Sequence, residues 1–547
     1  VAKNSFVTEV IMTNRIFYNG NIHTADKNNT VAEAMYIEGD KIKFIGSNKD
    51  IEKYEHMADG IIDLNKKTVV PGFIDSHIHL LAYGNSLSQV NLSGCKSINE
   101  VIEVSKKFIM DNHVDPKKWL VGFGWNQENF DCKRMLTKFD LDKISRDIPI
   151  VFRRACFHIS TCNSKALELA GITKNTVIEG GEVDVVEGDT TGILRENASN
   201  LVERYIPKAT RGYKKELVLK GLEKLSSYGI TGIHTDDLGK DNGGLEMLDI
   251  YKELDMEGKL SVRVYIQSRI TCFDEARNYF DVGFNKYIGS ENFKLGSIKL
   301  LGDGSLGGQT AAMNKPYENS TETGIALFTQ DELDKIVDLA HVNDVAVVIH
   351  AIGDKTIDMA IKSFEKAMKK YPEHKVRHGI VHCQITSKEA LEKIKENNIL
   401  AYIQPIFVAS DSKVVEKRVG KERAKYSYNW KTLNDDGVVL TFGTDSPVET
   451  PNPYENIYCA VTRKDLEGKL EDGFLPEQHL TVEESIRAYT INSSYASYEE
   501  NIKGSLEAGK LADFAVLSDN IFEVEKDKIK NINCVMTVKG GKIVFDN

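Results

Sequence analysis

The chain has 547 residues, with 81 acidic against 70 basic side chains and a net charge of −11. That balance argues against a nucleic-acid-binding surface, and no basic stripe with interleaved aromatics occurs. No apolar run approaches the roughly 20 residues needed to span a bilayer, and a composition of 41% hydrophobic and 28% charged residues is that of an ordinary globular protein.

The opening residues, Val1 to Ile11, lack both a long apolar core and a small-residue cleavage site, so they do not read as a secretory signal. Met12 is a candidate native start, which makes residues 1–11 an extension. The eight cysteines are scattered without a Cys-x-x-Cys pair, the pattern of reduced thiols in a cytoplasmic protein.

From Arg15 to Val70 the pattern is β. Residues 15–24 read as strand, turn, strand, and 34–45 as a hairpin turning at Glu38-Gly39-Asp40. The far end has the same texture: a strand at 513–517, then a hairpin over 535–545 through Gly540-Gly541. Neither end has enough strands to bury a core alone, so residues 12–70 and 500–547 are expected to fold together into one small β-domain.

The next stretch is Pro71-Gly-Phe-Ile-Asp-Ser-His-Ile-His-Leu80. Strand side chains alternate between faces, so Asp75, His77 and His79 share one, and two imidazoles at a strand end form half of a metal site. Residues 94–200 carry mixed signals and are too long for a plain connection. They read as an inserted α/β subdomain, expected over the C-terminal mouth if 71–499 is a barrel.

From Tyr213 the rhythm is strand then helix, repeatedly. Strands are predicted at 229–234, 261–266, 297–301, 345–350, 378–382, 400–403 and 438–444, their apolar runs suiting parallel strands covered on both faces. Helices between them open on capping boxes at Thr329/Glu332, Thr386/Glu389 and Thr481/Glu484. With the strand that ends at His79 the count is eight, and a (β/α)8 TIM barrel is the economical topology.

The chemistry lies at the strand ends. His350, His382 and Asp445 each close an apolar strand on the lip where barrel active sites form. His378 shares a face with His382 but lies four residues nearer the other end, so it bonds substrate or backbone, and His382 is the preferred ligand. Thr441 and Gly443, on the face of Asp445, are small residues that leave room for ions. Lys299 lies among aliphatics, where an ammonium is costly. It either reaches the rim or pairs with Asp303, or it is carboxylated by CO2 to a carbamate that bridges two metal ions.

In this order, His-x-His, Lys, His, His and Asp on successive strands resemble the amidohydrolase superfamily, and more closely its N-substituted-formamide-deformylase-like branch (amidohydrolase family 3). The matching stretches are PGFIDSHIHL from Pro71, GITGIHT from Gly229, SIKLLGDGSLGGQTA from Ser297, HAIGDKTID from His350, RHGIVHCQ from Arg377, GTDSPVETPNP from Gly443 and GSLEAGKLADFAVL from Gly504. The resemblance implies a barrel with a β-sandwich built from both chain ends, and one or two divalent metals, usually zinc. His77, His79 and Asp445 would hold the first metal; His350 and His382 would hold the second, with Lys299 bridging. It implies hydrolysis of a non-peptide C–N bond in an amide, N-formyl or N-acyl group by a metal-activated hydroxide, with Asp445 as general base and then acid. His158, Asp303 and Arg377 are candidates to bind substrate polar groups, Trp125 to form an apolar pocket wall, and Glu196 and His234 to stand at the mouth. The alternatives are a deaminase or cyclic-amide hydrolase of the same superfamily, or a metal-binding regulator without turnover. The expected partner is a small-molecule substrate, and a homodimer is the default for enzymes of this kind.

Overall fold

A computed structural model of the chain describes residues 14–154, 158–239, 244–284 and 288–547. The proposed extension and Met12 lie outside the described residues. The chain divides into two compact units, one comprising residues 1–81 with 219–547 and the other residues 82–218.

In the first unit eight parallel strands form one sheet: β1 (Phe73–Ile78), β2 (Ile230–Leu238), β3 (Arg263–Arg269), β4 (Phe293–Leu301), β5 (Val347–Ala351), β6 (Gly379–His382), β7 (Leu400–Ile403) and β8 (Leu440–Phe442). Neighbours in sequence are neighbours in the sheet, all in parallel register. β1 and β8 then meet, so the sheet is a nearly closed barrel. Ser76 Oγ donates to Phe442 O at 2.8 Å, and the amides of Asp445 and His79 donate to His77 O and Ser446 O at 2.8 and 2.9 Å.

This closure explains a small residue differently from the sequence reading. A Cβ on Gly443 would lie 2.7 Å from the backbone nitrogen of His77 and 2.9 Å from its Cβ. Gly443 is small because the backbone of β1 lies against it, rather than to leave room for an ion.

Helices with apolar stripes cover the barrel. In Asp354–Lys370 the buried Ile357, Ala360, Ile361, Phe364 and Ala367 recur at three- and four-residue spacing. Capping boxes start the helices after Thr329 and Thr481. The third box is not formed: Ser387 caps that helix, accepting from Ala390 N, because the Thr386 hydroxyl donates instead to Tyr426 O at 2.7 Å.

Two further sheets belong to this unit. One has four strands, all from residues 14–63. The other has six and mixes both chain ends: Thr68–Pro71 pairs antiparallel with Phe514–Leu517, which continues into the hairpin Cys534–Lys539 and Lys542–Asp546. Their apolar faces share a core that includes Phe17, Ile22, Met35, Val69, Phe514 and Val538.

The second unit, 82–218, includes the 94–200 stretch and holds its own six-stranded mixed sheet, with apolar clusters around Trp125, Phe130 and Phe152 and around Val151, Leu167 and Leu194. The seven cysteines among the described residues are free. No helix among them is long and apolar enough to cross a membrane.

His378, one residue ahead of β6, bonds backbone rather than substrate. Val347 N donates to its Nδ1 at 3.1 Å, so its proton is on Nε2, 2.9 Å from His341 Nδ1; His341 Nε2 in turn donates to Tyr371 O at 3.1 Å. Every nitrogen in this relay has its role with both rings neutral. Burial pushes His378 down to about 3, and burial also lowers His341. A histidine with a folded pKa below its unfolded value of about 6.5 contributes stability above pH 6.5 and loses it as the pH falls toward the folded value. For His378 that loss reaches about 2 kcal/mol by pH 5. In His378→Gln, the fall in urea-unfolding stability between pH 7 and pH 5 should therefore shrink by about that amount; an unchanged fall would show that the relay does not govern the acid limb.

Candidate metal centre

His77 is the fifth residue of β1, and His79 follows that strand's last residue. Opposite them, just past β8, Asp445 takes a left-handed backbone with φ 58°, a region that aspartate tolerates better than most residues. The turn points its carboxylate at both rings: Oδ1 lies 3.1 Å from His77 Nε2 and 2.8 Å from His79 Nε2. One ligand atom from each of the three residues lies within 4.8 Å of the others.

The remaining candidates adjoin this trio. Lys299 Nζ, wholly buried on β4, lies 3.4 Å from His77 Nε2. The His382 ring centroid is 5.5 Å from that of His77 and 4.4 Å from that of His350. The structure therefore brings His77, His79, Lys299, His350, His382 and Asp445 into one chain of contacts.

Electrostatics leave most of these groups in forms that suit a cation. His79 is the exception: burial works against its charge, but the carboxylates of Asp236 and Asp445 outweigh it and raise the ring well above its ordinary value, so both its nitrogens carry protons in this arrangement. Burial pushes His77 and His350 down to about 4 and His382 well below its ordinary value, so all three stay neutral near pH 7. Burial also works against charge on Asp445, but the neighbouring His77 and His79 outweigh it and hold the carboxyl well below the carboxylate range. Burial pushes Lys299 down to about 8, against the pull of Asp236 and Asp445.

The hydrogen bonds behind the rings fix which nitrogens carry protons. His382 Nδ1 lies 2.8 Å from Gln404 Oε1, whose amide nitrogen donates to Tyr402 O, so the proton is on Nδ1. Its Nε2 is then a bare lone pair, buried and with no partner among the described residues. His350 donates from Nε2 to Gly304 O at 3.1 Å, leaving Nδ1 free. Neutral imidazoles with unused lone pairs, converging with an ionised carboxylate, are the donor set of a borderline divalent cation, and the residues fit one.

Several partners are not evident from the motifs. Asp236, on β2, bonds His79 Nδ1 at 2.5 Å. It lies two residues beyond His234, on the same face by strand alternation, and that spacing was the available signal. Gln404 directly follows β7, much as His382 closes β6, so the strand-end rule also applied to it. Asp75, wholly buried, accepts from Thr444 Oγ1 at 2.5 Å and from the amides of His77 and Thr444 at 3.1 and 3.2 Å, tying β1 to β8 behind the ligands; burial pushes its carboxyl up to about 7.

The expected substrate contacts fare differently. Asp303 accepts from the amides of Ala312, Ile352 and Gly353 at 3.0, 3.1 and 2.9 Å, so its oxygens hold two loops together. Lys299 lies against His77 rather than pairing with Asp303. Arg377 precedes β6, at the opposite end of that strand from His382; its guanidinium bonds Glu500 at 2.7 and 3.1 Å and lies over the ring of Tyr495. His234 is buried inside the barrel against Tyr265, not at the mouth. In the second unit, Trp125 is wholly buried in the core with Nε1 donating to Phe152 O, so its ring offers no pocket wall. His158 is exposed there and bonds Glu196 at 2.9 Å. A cavity of about 590 Å3 opens between the terminal strands beside Asp26, Glu33 and Glu507, without any of the clustered histidines.

Residues 60–545 match the amidohydrolase family. The chain is 31% identical over 536 residues to the amidohydrolase YtcJ of Bacillus subtilis (strain 168), covering 97% of this chain and 99% of that protein. It is 24% identical over 551 residues to the N-substituted formamide deformylase of Arthrobacter pascens, covering 98% of this chain and 99% of the relative. A crystal structure of an uncharacterised metal-dependent hydrolase from Pyrococcus horikoshii OT3 superposes with a TM-score of 0.76 at 29% identity, covering 94% of this chain and 99% of that one. The eight-stranded parallel barrel, the histidine–aspartate cluster on its lip and these likenesses converge on one assignment: the chain belongs to the amidohydrolase family and is a hydrolase.

Proposed function

We propose that the chain hydrolyses a non-peptide C–N bond, in an amide, N-formyl or N-acyl group, at a binuclear zinc centre on the barrel lip. One observation carries this reading: the histidines on β1, β5 and β6 and the aspartate after β8 gather beside one buried lysine, and the His382 Nε2 lone pair is buried there without a partner among the described residues. In this reading His77, His79 and Asp445 would hold one cation and His350 and His382 the other, and Lys299, as a carbamate, would serve both. The carbamate forms when the neutral amine adds to CO2, making an N–C bond and releasing one proton. The divalent metal, when bound, supplies Lewis acidity and a water that ionises near neutral pH.

The protein's own part is positioning and proton transfer. Asp445 is ionised and faces the cluster, so its carboxylate takes the proton from the attacking water and returns it to the departing amine nitrogen. Asp75 and Thr444 hold the strand ends that carry the ligands at a fixed separation.

The test is elemental analysis of protein purified without chelator, with intact mass of the folded protein and a screen of N-formyl and N-acyl amines. Two zinc ions per chain, a mass gain of one CO2 and release of formate or another acid are expected. One metal without the mass gain would remove Lys299 from the bridge and favour deaminase substrates. No metal after reconstitution with zinc and bicarbonate would overturn the reading.

A further inference from the structure

We infer that Asp236 is a positioning residue for the metal centre: its carboxylate fixes His79 as the Nδ1–H tautomer, so that Nε2 turns its lone pair toward the cation with a negative charge behind the ring. This inference rests on the metal-site reading above.

Three of the clustered histidines are held from behind. Gly304 offers a peptide carbonyl to His350 at 3.1 Å, with the Asp303 carboxylate farther off at 3.4 Å, and Gln404 offers an amide oxygen to His382. Asp236 offers His79 a carboxylate, at 2.5 Å. A charge-assisted bond is shorter and stronger than its neutral counterparts, and a carboxylate behind a ligand imidazole raises the basicity of the nitrogen that faces the metal.

The local fold is arranged to deliver this group. The pairing of β2 with β3 shifts register between Thr235 and Leu238, and the two acidic residues in that interval turn to different partners. Asp237 accepts from the Tyr251 hydroxyl at 2.5 Å and from Leu81 N. Asp236 turns to His79, across 157 positions of sequence.

Asp236 also lacks the signature of a group retained for the fold alone. Asp75 and Asp303 each place both oxygens in hydrogen bonds. Asp236 is as deeply buried, yet its Oδ2 has no hydrogen-bond partner among the described residues. Burying a carboxylate with one oxygen unsatisfied is costly, and the His79 bond is what the structure shows in return.

The experiment is zinc affinity, measured by competition with a chromophoric chelator, for the parent, Asp236→Ala and the isosteric Asp236→Asn, beside the melting temperature of each metal-free protein. The expected result is a 10–100-fold loss of affinity in Asp236→Ala with the metal-free melting temperature unchanged. Asp236→Asn, whose amide oxygen still accepts from Nδ1–H, should lose less. Equal zinc affinity in the parent and Asp236→Ala would overturn the inference while leaving the metal site standing. A loss of affinity that follows a drop in metal-free melting temperature, equal in both variants, would reduce Asp236 to a folding role and overturn it too. A parent that binds no zinc would overturn both this inference and the functional reading beneath it.

Discussion

Replacing Asp445 with asparagine should lower kcat by about 10²–10⁴-fold on whichever N-formyl or N-acyl amine the parent hydrolyses. Asparagine is the informative choice for two reasons. Residue 445 has φ 58°, and asparagine accepts the left-handed region nearly as well as aspartate, whereas alanine there would add backbone strain. The amide also keeps an oxygen to place 2.8–3.1 Å from His79 and His77, so the cluster keeps its shape while losing the group that carries the proton. Steady-state kinetics with zinc content measured on the same sample separate the two contributions. A variant with full zinc and kcat within tenfold of the parent would remove Asp445 from proton transfer.

The parts of the centre that were legible in the sequence are those for which one strand is enough. A strand buried on both faces reads as an apolar run, so a polar residue that closes such a run stands out; His350, His382 and Asp445 were visible for that reason. His77 and His79 were visible because their spacing matches the strand period.

What escaped depends on relations between strands. Asp236 acquires its meaning only when β2 lies beside β1, and Gln404 only when β7 lies beside β6. The misread residues have the same origin. Arg377 has the composition of an anion-binding residue, but its position before β6 puts it at the strand's far end, where Glu500 takes its charge. Asp303 looks like a free carboxylate until the loops after β4 and β5 fold back and their amides claim its oxygens. Thr386 heads a capping pattern, yet Tyr426 O, supplied from 40 residues away, takes its hydroxyl and leaves the cap to Ser387. In each case a local pattern was sound and a longer-range hydrogen bond outweighed it.

Asp513→Ala should destabilise the protein by about 3–5 kcal/mol, the usual cost of removing one partner from a buried ion pair. Asp513 stands immediately ahead of the strand Phe514–Leu517, and Arg263 begins β3; their side chains are 6% and 5% exposed. Both ends of the guanidinium fork are engaged, Nε with Oδ2 at 2.7 Å and Nη2 with Oδ1 at 3.0 Å, and Gly540 N donates to Oδ1 as well. Truncation would leave Arg263 with Glu291 O and Asn292 Oδ1, neutral acceptors for a charge that cannot be discharged by deprotonation. Most of the expected cost is therefore the stranded cation rather than the lost attraction. Arg263→Met combined with Asp513→Leu isolates this difference, because it removes both charges and refills the space with apolar groups. It should be less destabilised than Asp513→Ala alone, read as a shift of the urea midpoint at constant slope. If the double variant were as unstable as the single one, the bidentate geometry itself, rather than the avoidance of an unpaired charge, would be what joins the C-terminal strand to the barrel.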